Sequence, residues 1–307
     1  MSTPADIAHT PRFMVLDHIG FLALEGSRSV EFLQGQLTCD MRQASASRAV
    51  EGAWCTPKGR VVCSLAAWPQ TGERVILRLR ADLAAATAGQ LSKYAALSRV
   101  KISSAPWICV GLLGVDDALL ADCLGVRPPA ACGGVEPVEG GALLRLDAAG
   151  ERHELWLERD AAGTWITRLH AHLAEGSGND WRLALVRTGV AEVQAATREL
   201  FLPQMLGYDA DGRVSYRKGC YTGQEIVART HYKGGVKRHL IRLEGEGEPP
   251  APGSAVERAG QSAGTIVEAA SINDGHFVVL AVMADEFAAS GHAIGFVAGG
   301  RELHLPA

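Results

Sequence analysis

Residues 213–238 read RVSYRKGCYTGQEIVARTHYKGGVKR, and the core of the stretch is Lys218-Gly219-Cys220-Tyr221-Thr222-Gly223-Gln224-Glu225. Those positions bring together an ammonium, a thiol, a phenol, a hydroxyl, a carboxamide and a carboxylate, once each, around two glycines. Packing does not ask for such variety, because a core segment repeats apolar residues at strand or helix spacing. Cys220 follows Arg217 and Lys218 closely, and neighbouring positive charge favours thiolate over thiol, so a reactive sulfur is one reading. The plainer reading is a small residue tucked under a turn. Thr222-Gly223-Gln224-Glu225 runs into Ile226-Val227-Ala228, and Thr-x-x-Glu before an apolar run is a capping-box signature. Glu225 therefore reads as a cap or, beside Gln224, as an acceptor for the paired N–H donors of an aminopyrimidine ring. Gly219 and Gly223 suit positive φ or close backbone approach, and a helix opening at Gly223 would turn its N–H groups toward an anion. From 205 to 240 seven basic residues stand against three acids. Such a run is a solvated face or a contact for a carboxylate- or phosphate-bearing ligand.

Upstream, strands and helices alternate. HIGFLAL at 18–24 predicts a strand, and Gly26-Ser27 a turn and cap for a helix carrying Val30, Leu33 and Leu37. Thr56-Pro57-Lys58-Gly59 has the chemistry of a type I turn and predicts a β-hairpin. RVILRLR at 74–80 alternates as a strand with one wet face, and Asp82 then caps a helix carrying Leu83, Leu91, Tyr94 and Leu97. Over 101–175 a strand at 107–113, a helix at 116–124, strands at 142–146 and 154–158 and a helix at 160–175 make a βαββα unit of ferredoxin-like type. His153, His170 and His172 read as solvated or locally bonded. Asn179 or Asp180 caps a helix that Thr188-Gly189 closes, with Trp181 in its first turn as a core or a ligand-stacking residue. Beyond Arg238, short strands between glycine turns predict a small β-barrel or sandwich over 238–307.

A chain of 307 residues is long for one core and suggests roughly two domains. Thirty-five glycines and few aromatics favour a mixed α+β chain over a helical bundle. A formal net charge of -4 argues against a protein coated by nucleic acid, leaving a local basic patch as the open case. Residues 1–13 lack the apolar run of a signal peptide and read as a disordered lead. The most apolar run, at 107–115, is far shorter than the roughly 20 residues of a membrane span, so a cytoplasmic protein with no membrane partner is expected. Seven cysteines without a CxxC pair fit a reducing compartment. No metal-ligand array, GxGxxG or P-loop occurs, and no metal site is assigned.

The chain resembles the YgfZ-type folate-binding proteins, relatives of the glycine-cleavage T-protein. The residues that carry the resemblance are Phe32-Leu33-Gln34-Gly35-Gln36-Leu37-Thr38 with Asp40, then Pro57-Lys58-Gly59, then Phe201-Leu202-Pro203-Gln204, then the 218–225 run with Val227-Ala228-Arg229 and Lys237-Arg238. Order and spacing hold over about residues 15 to 285. The chain departs from the family's pattern at Ile19, where relatives often carry an aromatic, at Thr56 in place of an Asp, and in a polar 207–214 loop.

The resemblance implies a T-protein-like fold of three modules around a central channel for tetrahydrofolate or a folate derivative, closed by a C-terminal β-barrel. Residues 12–237 would form the folate-binding region, with a ferredoxin-like part at about 101–175, and residues 238–307 the barrel. It implies Cys220 as the reactive residue and Trp181, Lys218, Gly219, Tyr221, Gly223, Gln224 and Glu225 as folate contacts. The implied function is a folate-dependent accessory role in assembling or repairing iron-sulfur enzymes, the clients, including those that modify tRNA. A one-carbon transferase of T-protein type is the alternative, with Asp40 or Glu225 as its acid or base. An RNA-contacting module is a third, but direct nucleic-acid contact is not expected, since few aromatics interleave with the cations.

Overall fold

The structure is a computed structural model, and it describes residues 10–272, 275–288 and 295–306. In chain order the elements begin with β1 (Arg12–Val15), β2 (Ile19–Glu25), α1 (Ser29–Gln34), β3 (Val50–Cys55), β4 (Val61–Thr71), β5 (Arg74–Arg80) and α2 (Ala81–Ala95). They continue with β6 (Lys101–Ala105), β7 (Trp107–Leu113), α3 (Asp117–Leu124), β8 (Val135–Val138), β9 (Gly141–Arg145), β10 (Arg152–Glu158), α4 (Arg159–His170), β11 (Ala174–Glu175) and α5 (Gly178–Arg187). After α6 (Gln224–Lys233) come β12 (Arg238–Glu246), β13 (Ala255–Arg258), β14 (Gln261–Ser271), β15 (His276–Ala284), α7 (Asp285–Ala288), β16 (Phe296–Ala298) and β17 (Arg301–His304).

The chain divides into two compact units, each assembled from separate stretches. The first comprises residues 1–35, 40–51 and 65–181, and the second residues 36–39, 52–64 and 182–307. In the first unit a six-stranded sheet runs β11-β1-β7-β10-β9-β8. Its core gathers Phe13, Val110, Leu112, Leu155 and Leu157 from the strands with Leu120, Trp165 and Leu169 from α3 and α4. A five-stranded sheet runs β3-β4-β5-β2-β6, with β3 and β4 divided between the units along their length.

Several sequence expectations are corrected in this unit. The disordered lead expected over 1–13 does not hold for Arg12 and Phe13, which belong to β1 with Phe13 fully buried, and residues 1–9 lie outside the described residues. The wet face of β5 is covered: Arg78 is buried and donates to Glu154 at 2.8 Å, and Trp156 Nε1 donates to the other oxygen of that carboxylate at 2.7 Å. A buried charge needs such a partner, so the arginine pattern marks a paired interior and not solvent. In α2, Leu83 and Leu91 are buried, whereas Tyr94 is 51% exposed and Leu97, already beyond the helix, 90%. The helix starting near 160 stops at His170, since residues 174–175 leave it to pair in parallel with β1. His153, expected in solvent or a local bond, is fully buried on β10.

The second unit contains a closed barrel in the order β12-β15-β14-β13-β16-β17, around Leu243, Ile266, Phe277, Val279 and Leu303. Closure removes the free strand edges that short strands would otherwise present. Among the described residues no helix is long and apolar enough to cross a membrane.

Candidate functional site

The motif loop in the second unit is held by three short segments far from it in sequence. The first is 36–39. Helical spacing suggested that Leu37 continues α1, but the helix ends at Gly35 and Leu37 bridges to Trp54 instead. Thr38 bonds both ways with Ala53: its N–H donates to the Ala53 carbonyl at 2.9 Å and its Oγ1 accepts the Ala53 N–H at 2.8 Å. The same hydroxyl donates to the Arg213 carbonyl at 2.7 Å, and the Thr38 carbonyl accepts from Ser215 N at 2.9 Å. Lys218 completes the attachment. Its buried ammonium donates to the carbonyls of Leu37 at 2.6 Å and Cys39 at 2.7 Å and lies 5.1 Å from the centre of the Tyr221 ring. Lys218 is thus a strut under the loop, and Thr222 Oγ1 adds a bond to Gln36 Oε1 at 3.3 Å.

The second support is the turn at 56–59, closed by Gly59 N donating to the Thr56 carbonyl at 2.8 Å. The first turn of α6 rests on it so closely that a Cβ at Gly223 would stand 2.4 Å from Thr56 O. Gly223 also holds φ at +86°, a left-handed conformation that side chains resist. This displaces the expected capping box: Gly223, not Thr222, precedes the helix, and no side chain caps it. Glu225 is exposed in the first turn. Gly219 behaves differently, for its φ is not positive and nothing lies within 4 Å of a Cβ built there. The chain's own packing leaves that position open.

The third support is Gln204 of the FLPQ segment, whose Nε2 donates to the Val227 carbonyl at 2.7 Å and to Tyr216 Oη at 3.2 Å. Burial, with Asp209, pushes the Tyr216 phenol up to about 12, the Gln204 bond working against the shift. Burial likewise raises the Tyr221 phenol, followed by the influence of Cys55 and Tyr216. Around this framework three buried polar atoms have no hydrogen-bond partner among the described residues: Trp54 Nε1, Gln204 Oε1 and Tyr221 Oη. They amount to one donor, one acceptor and one group able to act as either. Leaving each unpaired costs about 1 to 3 kcal/mol, so a polar molecule that satisfied them would be held firmly.

Cys220 stands exposed at the outer turn of this loop. Five other cysteines, Cys39, Cys55, Cys63, Cys109 and Cys123, are buried, and Cys132 is exposed elsewhere. Gln224 is half-buried, its N–H donating to the Tyr221 carbonyl at 3.1 Å. Trp181 belongs to the first unit, where it is fully buried, and a Cβ at Gly111 would come within 2.6 Å of its ring. Its Nε1 is also without a partner among the described residues. The sequence had not singled out Trp54, Gln204 or Tyr216 as site residues, because single residues in separate segments give no signal of convergence.

Beside the turn at 56–59 a cleft of about 660 Å3 is lined by Thr56, Pro57, Lys58, Arg60, Glu199 and Leu200. It contains none of the 218–225 motif. No group of three or more His, Cys, Asp or Glu residues able to hold a metal ion occurs among the described residues.

Comparison with protein-family models found no match. Among curated proteins, the chain is 31% identical over 280 residues to the tRNA-modifying protein YgfZ of Yersinia pseudotuberculosis serotype O:1b (strain IP 31758), covering 89% of this chain and 84% of that protein. It is 30% identical over 288 residues to the tRNA-modifying protein YgfZ of Klebsiella pneumoniae (strain 342), covering 91% and 88%. Among solved structures, the glycine cleavage system aminomethyltransferase T from Bartonella henselae superposes with a TM-score of 0.75 over 98% of this chain and 86% of that one, at 17% identity. That likeness shows a T-protein-like fold, as the resemblance implied. With relatives of this identity and coverage, and with its motif segments folded into one framework, the chain belongs to the YgfZ family of tRNA-modifying proteins.

Proposed function

We propose that this protein binds tetrahydrofolate and serves as an accessory factor in assembling or repairing iron-sulfur enzymes, among them enzymes that modify tRNA. The observation that carries the reading is the set of unpartnered buried atoms of Trp54, Gln204 and Tyr221 around a loop that presents Cys220. A folate's aminopyrimidine edge offers donors and acceptors side by side, which suits that set. Tyr221, Gln204 and Trp54 would hold the heterocycle from the second unit, and Gly219 and Gln224 would border it. Bound tetrahydrofolate supplies the capacity to carry one-carbon groups at N5 and N10. Lys218 acts on the ligand only through the loop it supports, since its ammonium is engaged by two carbonyls. The exposed thiol of Cys220 is the group that would meet an iron-sulfur client.

The transferase alternative draws on Asp40 or Glu225. The Arg42 side chain holds the Asp40 carboxyl well below the usual carboxylate range, with Gln34 adding a bond at 3.0 Å, so Asp40 stays ionised and is a poor proton carrier near neutral pH. Calorimetric titration with tetrahydrofolate tests the main reading: saturable binding is expected, and no heat at millimolar ligand would remove it. Cys220→Ala should keep both fold and folate binding yet fail to restore iron-sulfur enzyme activity in a strain lacking the protein. Full rescue would take the cysteine out of the mechanism.

A further inference from the structure

The C-terminal half of α6 and the chain leading into β12 carry a feature that folate binding leaves unused. The Tyr216 ring stacks on His231 with centroids 3.8 Å apart and planes 17° apart. Tyr232 meets both edge-on, at 6.1 Å from Tyr216 and 4.8 Å from His231. Tyr232 is nonetheless 69% exposed, an unusual state for an aromatic residue that already has two ring partners. In sequence Tyr216 lies well before the adjacent pair His231 and Tyr232, and few aromatics interleave with the cations. The fold gathers them into one cluster.

Cations flank these rings along the chain. Arg217, Arg229, Lys233, Lys237 and Arg238 are all exposed, and Glu225 is the only acid between 217 and 239. None of these five forms a salt bridge among the described residues, whereas Arg12, Arg42, Arg78 and Arg145 each do. Arg229 and Lys233 lie one turn apart on α6, with Tyr232 adjacent. The patch ends at His239, which is paired with Asp285 at 2.6 Å. In a chain whose formal net charge is -4, such a concentration of unneutralised positive charge is local and deliberate in its effect on anions.

We propose that this surface binds single-stranded RNA, a base stacking on Tyr232 while Arg229, Lys233, Lys237 and Arg238 contact phosphates. Aromatic rings that offer a free face beside a track of cations are the components of sequence-tolerant single-strand binding. An acidic peptide or a polyglutamate chain would use the cations but has no ring to place on Tyr232. The inference goes beyond the folate reading and does not depend on it.

Fluorescence anisotropy with a fluorescein-labelled, unstructured 12-nucleotide RNA tests it on the full chain. The wild type should bind saturably at low salt. Tyr232→Ala should weaken binding about fivefold or more, the effect of losing one stacked base. Lys233→Ala/Lys237→Ala/Arg238→Ala should lower the slope of log affinity against log salt by about two. Tyr232→Leu, which keeps an apolar side chain but no ring, should behave as Tyr232→Ala, and circular dichroism checks that each variant is folded. Tetrahydrofolate titration of the same variants should match the wild type, so that failure of the two proposals can be told apart. The proposal is overturned by absence of saturable RNA binding, by Tyr232 variants within twofold of wild type, or by poly-L-glutamate competing as well as RNA per unit charge.

Discussion

Removing the ammonium of Lys218 while keeping its stem, as in Lys218→Met, leaves the carbonyls of Leu37 and Cys39 buried without their donor. A loss of about 3 kcal/mol is expected, read as a lower urea midpoint. The two glycines of the motif should separate structure from binding. Gly223→Ala forces a side chain into a left-handed backbone 2.4 Å from Thr56 O and should destabilise by about 1 to 3 kcal/mol. Gly219→Ala meets open space and should leave the urea midpoint unchanged while weakening folate binding in calorimetry. A stability loss at Gly219 equal to that at Gly223 would contradict this division. At this scale the sequence announced which residues were unusual but not what each does. A lysine beside a cysteine reads as an electrostatic partner, and only the fold shows it turned to backbone 181 residues away.

On β10, His153 is fully buried, and neither ring nitrogen has a hydrogen-bond partner among the described residues. Burial above all, reinforced by Arg145 and opposed by Asp117 and Asp147, lowers its pKa to about 4. The unfolded chain takes up this proton at an ordinary pKa near 6.5, before the folded chain does, so protonation favours unfolding. Stability linked to His153 is intact above about pH 6.5, declines as pH falls toward 4, and is lost by about 3 kcal/mol below it. Urea midpoints of wild type and His153→Leu should therefore converge or cross as pH is lowered through that window. A constant difference between them from pH 7 to pH 4 would show that His153 does not titrate there. Elements were legible where one periodicity ruled: the strands at β2 and β7, the hairpin across the turn at 56–59, and α5 with its glycine stop were read nearly at their observed limits. Misreadings came where two influences competed. Alternating arginines on β5 mimic a solvent face, but Glu154 supplies an interior partner for Arg78, and Arg80 lies 3.9 Å from Asp82. Leu37 keeps helical spacing with Leu33, yet Gly35 ends the helix and Trp54 offers a bridge.

For the molecule as a whole, the discontinuity of the second unit makes a direct forecast. A fragment of residues 182–307 contains the whole motif and the barrel strands but lacks 36–39 and 52–64. Its amide spectrum should show a structured barrel with the 213–223 loop unstructured, and adding back the missing segments within the full chain should restore protection of the Ser215 amide, which the Thr38 carbonyl holds. A protected loop in the fragment would refute the role given to those segments. The resemblance read from four separated motifs already pointed to this fold, and the structure supplies the reason those motifs occur together. Residues 36–39, the turn at 56–59 and Gln204 all touch the same loop, a convergence that no local pattern encodes.

The bond from Lys218 to Leu37 also sets a clock. A ribosome adding about 5 to 20 residues per second leaves the acceptor exposed on the nascent chain for roughly 10 to 35 seconds before its donor, 181 residues later, is even synthesised. The floor of the motif loop is made well before its strut, and throughout that interval it must avoid other partners.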